Sequence, residues 1–221
     1  MSNILTENFT GSNGTQINGF NSWVASATGL QIQSNKAAKT DNGAVWAYKS
    51  ATGWTGARTA VARFSRYNVA GQRYFNQFIL GSSNISSLAN FQNNSMYVYF
   101  YRSDSAASNT GCYIYDGTTV IASKTSGFAF QLSGAEVVVT VTINADGSGQ
   151  VELVQSGVSQ ILSWTARTWT KGTGQYHGFY FDHNGADGTG GVTRSQVDSI
   201  SIDTVGVENY NTSFLQCIRR M

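Results

Sequence analysis

The sequence contains no proline and only two cysteines and two histidines, and charged residues make up 12% of its 221 positions. Since an average soluble domain carries roughly 25% charged residues, most of the surface must consist of Ser, Thr, Asn, Gln and Gly. The absence of proline also removes a residue that often prevents edge strands from pairing with other chains. We therefore expect neighbouring subunits to cover the strand edges.

Little in the charge distribution indicates a nucleic acid or a membrane. The net charge is +2, too small for the strong field that attracts nucleic acids or anionic lipids. A local group of arginines, Arg58, Arg63, Arg66 and Arg73, is interpreted as one solvated strand face. No window approaches the roughly 18 consecutive apolar residues of a membrane helix. The first residues have neither the basic segment nor the apolar run of a signal peptide.

The two cysteines, Cys112 and Cys217, do not have the spacing of a zinc site. Cys112 precedes Tyr113 in a strand-like run, so we expect a small buried thiol there. A bridge to Cys217 stays open, because the sequence alone does not establish the geometry that a disulfide requires.

The two histidines allow two interpretations. His177 and His183 share strand parity with Phe179 and Phe181, so these side chains fall on one face of an extended strand. One interpretation is a proton-transfer or metal-binding face. The preferred one is that the phenylalanines mark the core and the histidines lie at its two rims.

A Gly-rich loop carries Asp182, Asn184 and Asp187, and oxygen ligands at close spacing can hold Ca²⁺. The loop lacks the acidic density of a dedicated site, and Asn and Asp are common in turns for local conformational reasons. We predict no metal site and no cofactor.

Period-two alternation is the dominant pattern. Val137, Val139 and Val141 fall on one face of an extended strand while Thr140 falls on the other, and Asp146-Gly147-Ser148-Gly149 then turns the chain into a second strand. No stretch keeps apolar residues at helical spacing for three turns. The predicted strands cover residues 4–9, 30–36, 44–49, 59–67, 74–80, 96–102, 112–115, 120–124, 128–132, 137–143, 151–154, 160–164, 177–182 and 197–202.

About a dozen short strands with regularly spaced turns predict an all-β fold, a two-sheet antiparallel jelly-roll sandwich. We expect one domain over residues 1–207, because sandwiches of this length do not need to split. The alternation stops after Val207, and residues 208–221 form a tail with apolar side chains. The tail docks either on a partner or on its own domain.

Two segments resemble concanavalin A-like (laminin-G-like) jelly-roll domains. The opening Glu7-Asn8-Phe9-Thr10-Gly11-Ser12-Asn13-Gly14-Thr15, followed by Trp23, resembles the start of such domains, and Val197-Asp198-Ser199-Ile200-Ser201-Ile202 resembles their closing strand. The resemblance covers about residues 4–205 and implies a concanavalin A-like sandwich.

The concanavalin A-like domains that this sequence resembles occur in secreted glycan-binding proteins and in structural proteins of tailed bacteriophages. A hydroxyl-rich surface without an export signal is expected of a protein that is assembled in the cytoplasm of a bacterial host and released by lysis. This favours a component of a virion, the phage particle.

Hydrolase chemistry has little support in the sequence. Glycosidases need two carboxyl groups at a defined separation, and the resemblance to concanavalin A-like glucanases would require the triplet Glu-x-Asp-x-x-Glu, which is absent. Asp198 and Asp203 differ by an odd number of positions, so on a regular strand they are expected on opposite faces.

The strongest candidate surface is aromatic. Tyr97, Tyr99 and Tyr101 alternate with Met96, Val98 and Phe100, and Tyr113 and Tyr115 repeat the pattern. If the two runs form a hairpin, the five tyrosines make one ladder across adjacent strands. Tyrosine rings suit sugar binding, but the same properties enrich them at protein interfaces, and an interface or plain sheet packing is preferred. Trp54, flanked by Gly53 and Gly56, is a further aromatic candidate.

The sequence as a whole predicts a non-enzymatic structural or decoration protein of a bacteriophage particle, whose partners are other virion proteins and copies of itself. The alternative is a carbohydrate-binding module that attaches to host or mucus glycans through the tyrosines. A polysaccharide-degrading enzyme is a distant third interpretation.

Overall fold

Two antiparallel sheets pack face to face in the structure, a computed structural model that describes residues 2–27, 29–40, 44–53, 56–66, 74–102, 110–125, 136–182 and 195–204. The strands are β1 (Ser2–Glu7), β2 (Val24–Ala25), β3 (Leu30–Gln33), β4 (Lys36–Lys39), β5 (Val45–Ser50), β6 (Arg58–Arg66), β7 (Tyr74–Ser82), β8 (Met96–Arg102), β9 (Thr110–Asp116), β10 (Thr119–Lys124), β11 (Val137–Ile143), β12 (Gly149–Gln155), β13 (Val158–Trp164), β14 (Tyr176–Asp182) and β15 (Ser195–Thr204). A 3₁₀ turn (Phe20–Ser22) and one short helix, α1 (Leu88–Asn93), complete the described elements. The predicted all-β, two-sheet antiparallel sandwich is confirmed.

Most strands pair with partners that are distant in the sequence. The eight-stranded sheet has the order β13-β12-β11-β6-β15-β4-β3, with β1 also paired to β15. The seven-stranded sheet has the order β10-β9-β8-β7-β14-β5-β2. The first strand, β1, and the last strand, β15, are therefore neighbours.

The core lies between the sheets and is built by the alternation seen in the sequence. In β11, Val139 and Val141 are fully buried while Thr140 is partly exposed. From the facing sheet, Phe100 and Phe179 join the same cluster and are equally buried. Full burial of one such apolar side chain contributes roughly 1.5–3 kcal/mol to the stability of the fold. The apolar residues of each strand therefore determine which of its two faces points into the core.

The acidic residue of the opening motif has a structural role. The Glu7 carboxylate is buried and accepts hydrogen bonds from Trp23 Nε1 at 3.1 Å, Asn21 Nδ2 at 3.1 Å and Lys49 Nζ at 3.2 Å. Burial alone would raise the pKa of Glu7, but these donors outweigh it and lower the pKa below its ordinary value. The ionised carboxylate thus ties β1 to the 3₁₀ turn and to β5.

The structure corrects one strand and adds elements that the alternation does not predict. The predicted strand 30–36 is the hairpin of β3 and β4, because Ser34 and Asn35 adopt positive φ values of 51° and 59° and turn the chain. The short strand β2 and helix α1 were missed. The predicted strand 128–132 and the tail 208–221 lie outside the described residues.

The arginine and cysteine predictions have different outcomes. The prediction that Arg58 lies on a solvated strand face is wrong: Arg58 is 3% exposed, because it falls on the same side of β6 as Ala60 and Phe64. Arg63 is on the exposed side, whereas the side chains of Arg66 and Arg73 lie outside the described residues. The buried thiol at Cys112 is confirmed, and burial raises its pKa to about 12. Cys217 lies outside the described residues.

Within the described ranges, no helix has the length and apolar character needed to span a membrane.

Candidate functional site

The five predicted tyrosines lie together on the outer face of the seven-stranded sheet. Strands β8 and β9 pair so that Tyr97 is opposite Tyr115 and Tyr99 is opposite Tyr113, while Tyr101 is opposite Gly111. The alternating residues Val98, Phe100, Cys112 and Ile114 point into the core. We call Tyr97, Tyr99, Tyr101, Tyr113 and Tyr115 the tyrosine platform.

The rings of the platform are nearly parallel but mostly offset. Tyr97 and Tyr115 form the tightest pair, with ring centroids 4.5 Å apart and planes 9° apart. The centroids of Tyr99, Tyr101 and Tyr113 are 5.4 to 6.2 Å from one another, with interplanar angles of 16° to 28°. At those separations, parallel rings overlap little. Part of each face of these three rings is therefore not covered by the next ring.

Gly111 sets the position of one platform ring. A Cβ at this position would lie 2.7 to 2.9 Å from Cε1, Cζ and Oη of Tyr101, so the ring lies directly over the glycine backbone. Tyr101 also shares a side-chain hydrogen bond with Tyr113. A glycine opposite a tyrosine thus lets the ring lean across onto β9.

Two further residues of the site come from β14. This strand lies on the other side of β7 from β8, an arrangement that the sequence does not predict. Tyr180 is opposite Gln77 of β7, and Gln77 is opposite Tyr99, so these three residues form one row across the sheet. The Asp182 carboxylate accepts a hydrogen bond from Tyr180 and acts electrostatically on Tyr99. Strand parity puts Tyr180 and Asp182 on the face opposite Phe179, but only the order β8-β7-β14 brings them near the platform.

Helix α1 borders the platform on one side. Its N-terminus is capped by Ser87, whose Oγ accepts a hydrogen bond from the Asn90 backbone N–H at 3.1 Å. Gln92 Nε2 donates to Gln77 Oε1 at 2.7 Å, and Phe91 is fully buried against Trp46 and Tyr48. The helix therefore covers the middle of the outer face. Tyr97 is buried in the same cluster as Phe91, whereas the other four tyrosines of the platform are partly exposed.

Four of the five phenol groups of the platform resist ionisation. Burial, and then the neighbouring phenols, raise the pKa of Tyr97, Tyr99, Tyr101 and Tyr115 above the ordinary value. These four rings consequently remain neutral near neutral pH, and their hydroxyls both donate and accept hydrogen bonds.

His177 is buried and contacts two backbone groups. Its Nδ1 accepts a hydrogen bond from the Gly81 backbone N–H at 3.1 Å, so Nε2 carries the proton and lies 3.2 Å from the Thr52 carbonyl oxygen. Burial, and then the charge of Arg58, lower its pKa to about 4, although the bond to Thr52 acts in the opposite direction. The preferred interpretation, a core-side histidine, is confirmed. His183 lies outside the described residues.

The remaining candidate residues have different outcomes. Within the described part of the chain, no group of three or more His, Cys, Asp or Glu side chains could hold a metal ion. Asn184 and Asp187 lie outside that part, as does Trp54. The prediction that Asp198 and Asp203 face opposite sides is wrong, because a register shift between Val197 and Ser199 inserts one residue and turns both away from the core.

A second concave feature lies at one end of the sandwich. A cavity of about 330 Å³ is lined by residues that include Arg58, Asp146, Arg167 and Trp169. Arg167 is bound to the Asp116 carboxylate at 2.8 Å and lies 5.0 Å from the Trp169 ring centroid. None of the predicted site residues lines this cavity.

Several solved structures similar to this chain are lectins or carbohydrate recognition domains. The carbohydrate recognition domain of Emp47p aligns with a TM-score of 0.55 at 12% identity, over 87% of this chain and 95% of that one. Lectin II from Ulex europaeus aligns with a TM-score of 0.55 at 12% identity, over 92% and 100%. Lectin I-B4 from Griffonia simplicifolia, in its metal-free form, aligns with a TM-score of 0.53 at 11% identity, over 83% and 93%.

These similarities confirm the concanavalin A-like jelly roll. Identities of this size show the fold alone. No protein-family model matches the sequence, and no curated protein matches it.

Proposed function

We propose that this chain is a lectin-like carbohydrate-binding domain and that the tyrosine platform binds the sugar. The observation that carries the proposal is the cluster of offset, near-parallel rings of Tyr99, Tyr101 and Tyr113 on an outer sheet face. The similarity of the fold to lectins supports it.

The chemistry of the platform suits a sugar. A pyranose ring has an apolar face of C–H groups, which packs on the partly uncovered tyrosine rings, and a rim of hydroxyls. The phenol hydroxyls and the Asp182 carboxylate offer hydrogen-bond partners to that rim. Because the sheet fixes the rings before a ligand arrives, little side-chain ordering remains to oppose binding.

A glycan array followed by calorimetry tests the proposal. We expect wild-type protein to bind at least one glycan class, and Tyr99→Ala to weaken that binding by about tenfold or more, which corresponds to ~1.4 kcal/mol. Tyr176→Ala is the matched control, because Tyr176 is also a partly exposed tyrosine of this face but packs on Tyr48, outside the platform.

Two results would contradict the proposal: a wild-type protein that binds no glycan, or equal affinity in Tyr99→Ala and wild type. Circular dichroism of both variants checks that the β fold is retained. Reducing-sugar release from a bound polysaccharide would instead favour the enzyme interpretation.

A structural role in a bacteriophage particle remains the second candidate function. The lectins named above do not bear on it, so the virion location stays a prediction. The platform also has the composition of a protein interface, where tyrosine is enriched. Co-sedimentation with capsids or tails tests this candidate, and Tyr99→Ala would weaken the association if the platform were the contact.

A further inference from the structure

We infer that the tyrosine platform selects uncharged or amino-bearing sugars and discriminates against acidic ones, because the Asp182 carboxylate lies at its edge. This inference rests on the proposed function and names the ligand class of the same site.

Asp182 is held at a defined place beside the rings. It is opposite Phe75 of β7, which is itself opposite Tyr101 of β8, so the carboxyl-bearing residue lies two strands from a platform residue. Neighbouring strands are about 4.8 Å apart, which puts Asp182 within the span of one disaccharide. Its carboxylate acts electrostatically on Tyr180 and on the platform residue Tyr99.

Three other charged side chains near this sheet are engaged in contacts of their own. Lys49 of β5 binds the buried Glu7 carboxylate at 3.2 Å, and Lys124 of β10 donates to Gln160 of the facing sheet at 2.7 Å. Asp116 is bound at the end of β9 by Arg167. Lys171 is exposed and lies against Gly117, beyond the Tyr115 end of the platform, whereas Asp182 lies on the side of Tyr99 and Tyr101.

A carboxylate at this position discriminates by charge. It accepts hydrogen bonds from sugar hydroxyls, and more strongly from an ammonium group. Asp182 is partly buried, so solvent screens its repulsion of a ligand carboxylate or sulfate less than it would at a fully exposed site. Like charges brought together at a binding surface are a known means of rejecting a ligand.

The test compares three oligosaccharides of equal length: glucosamine, N-acetylglucosamine and galacturonate oligomers. Calorimetry at about pH 6 keeps the amino groups protonated. For wild type we expect the amino and neutral oligomers to bind at least about tenfold more tightly than the acidic one. Asp182→Asn keeps the size and a carbonyl acceptor for Tyr180, and should bring the acidic oligomer to within about threefold of the neutral one.

Asp146→Asn is the matched control, since Asp146 is an exposed aspartate in the β11–β12 turn, and it should leave the ratios unchanged. Equal affinity of wild type for all three oligomers, or unchanged ratios in Asp182→Asn, would overturn this inference while leaving the proposed function intact. Binding of none of the three, together with an empty glycan array, would overturn both.

Discussion

The two sheets present different side chains to the solvent. The outer face of the eight-stranded sheet carries hydroxyl groups such as Thr140 and separate ion pairs, Arg63 with Glu136 at 2.6 Å and Lys36 with Asp198 at 3.6 Å. The outer face of the seven-stranded sheet carries the tyrosine platform, of which Tyr97, Tyr99 and Tyr115 also belong to the aromatic cluster around Phe91 of α1. Both sheets bury an apolar face of the same kind. The two sheets therefore differ only in their outward-facing residues, which are every second residue of each strand.

That difference separates fold from function. The sandwich could form with either the polar or the aromatic set of outward residues. In each strand the residues of the buried face are independent of those on the outer face. A contiguous aromatic surface is not needed for folding, and such surfaces on soluble proteins usually mark a binding site. We therefore propose that the outward residues of the seven-stranded sheet carry the binding function.

The largest expected contrast between the faces is in stability. Phe91→Ala should lower the free energy of unfolding by about 3–5 kcal/mol, because it empties a fully buried site under α1. Thr140→Ala on the other face should stay within about 0.5 kcal/mol of wild type. Urea denaturation measures both, and a loss below about 1 kcal/mol in Phe91→Ala would mean that α1 is not packed as described.

Acid should destabilise the interior that the two faces share. His177 has a pKa of about 4 in the folded protein against 6.5 for an ordinary histidine, so the unfolded chain takes up a proton first as the pH falls. Unfolding free energy should therefore decrease from about pH 6.5 to pH 4 by about 3 kcal/mol. Below that window, protonation of Glu7 removes further stability, since its folded pKa is lowered.

Urea denaturation across this pH range measures the effect, with Tyr99→Ala and Thr140→Ala as controls. Both should keep the wild-type slope between pH 6.5 and pH 4, because neither touches His177. A histidine signal with a folded pKa near 6.5 for His177 by NMR would contradict the prediction.

The sequence predicted most of the sandwich because side-chain alternation is a local property. Thirteen of the predicted strands overlap strands of the structure, and the ladder of five tyrosines follows from parity and one hairpin. Helix α1 was missed because six residues are too few for helical periodicity, although Ser87 lies at its N-cap and Asn94 at its C-cap.

Long-range pairing explains what the sequence left open at the site. Asp182 lies 81 positions after Tyr101, and only the pairing of β7 with both β8 and β14 brings them together. The side of the strand on which Asp198 lies depends on the bulge after Val197, and no residue pattern predicts that bulge. The role of the tyrosines stays a prediction, since geometry alone does not distinguish a sugar from a protein partner.

The smallest expected effect is the difference between two coupling energies, one from each outer face, which double-mutant cycles measure. Tyr97 and Tyr115 should couple by about 0.5–1.5 kcal/mol, because their rings are 4.5 Å apart and Tyr97 is buried. Arg63 and Glu136 are exposed enough that their coupling should be about 0.2–1 kcal/mol. Raising the salt to about 1 M shortens the screening length to about 3 Å.

Salt separates the two interactions even where their sizes overlap. It should reduce the coupling of Arg63 with Glu136 by more than half and leave that of the tyrosines unchanged, because ring stacking involves no net charge. Urea denaturation of the single and double alanine variants at both salt concentrations gives the couplings. If the tyrosine coupling also fell with salt, the outer faces would not differ in the physical nature of their contacts, and the contrast between them would be one of composition alone.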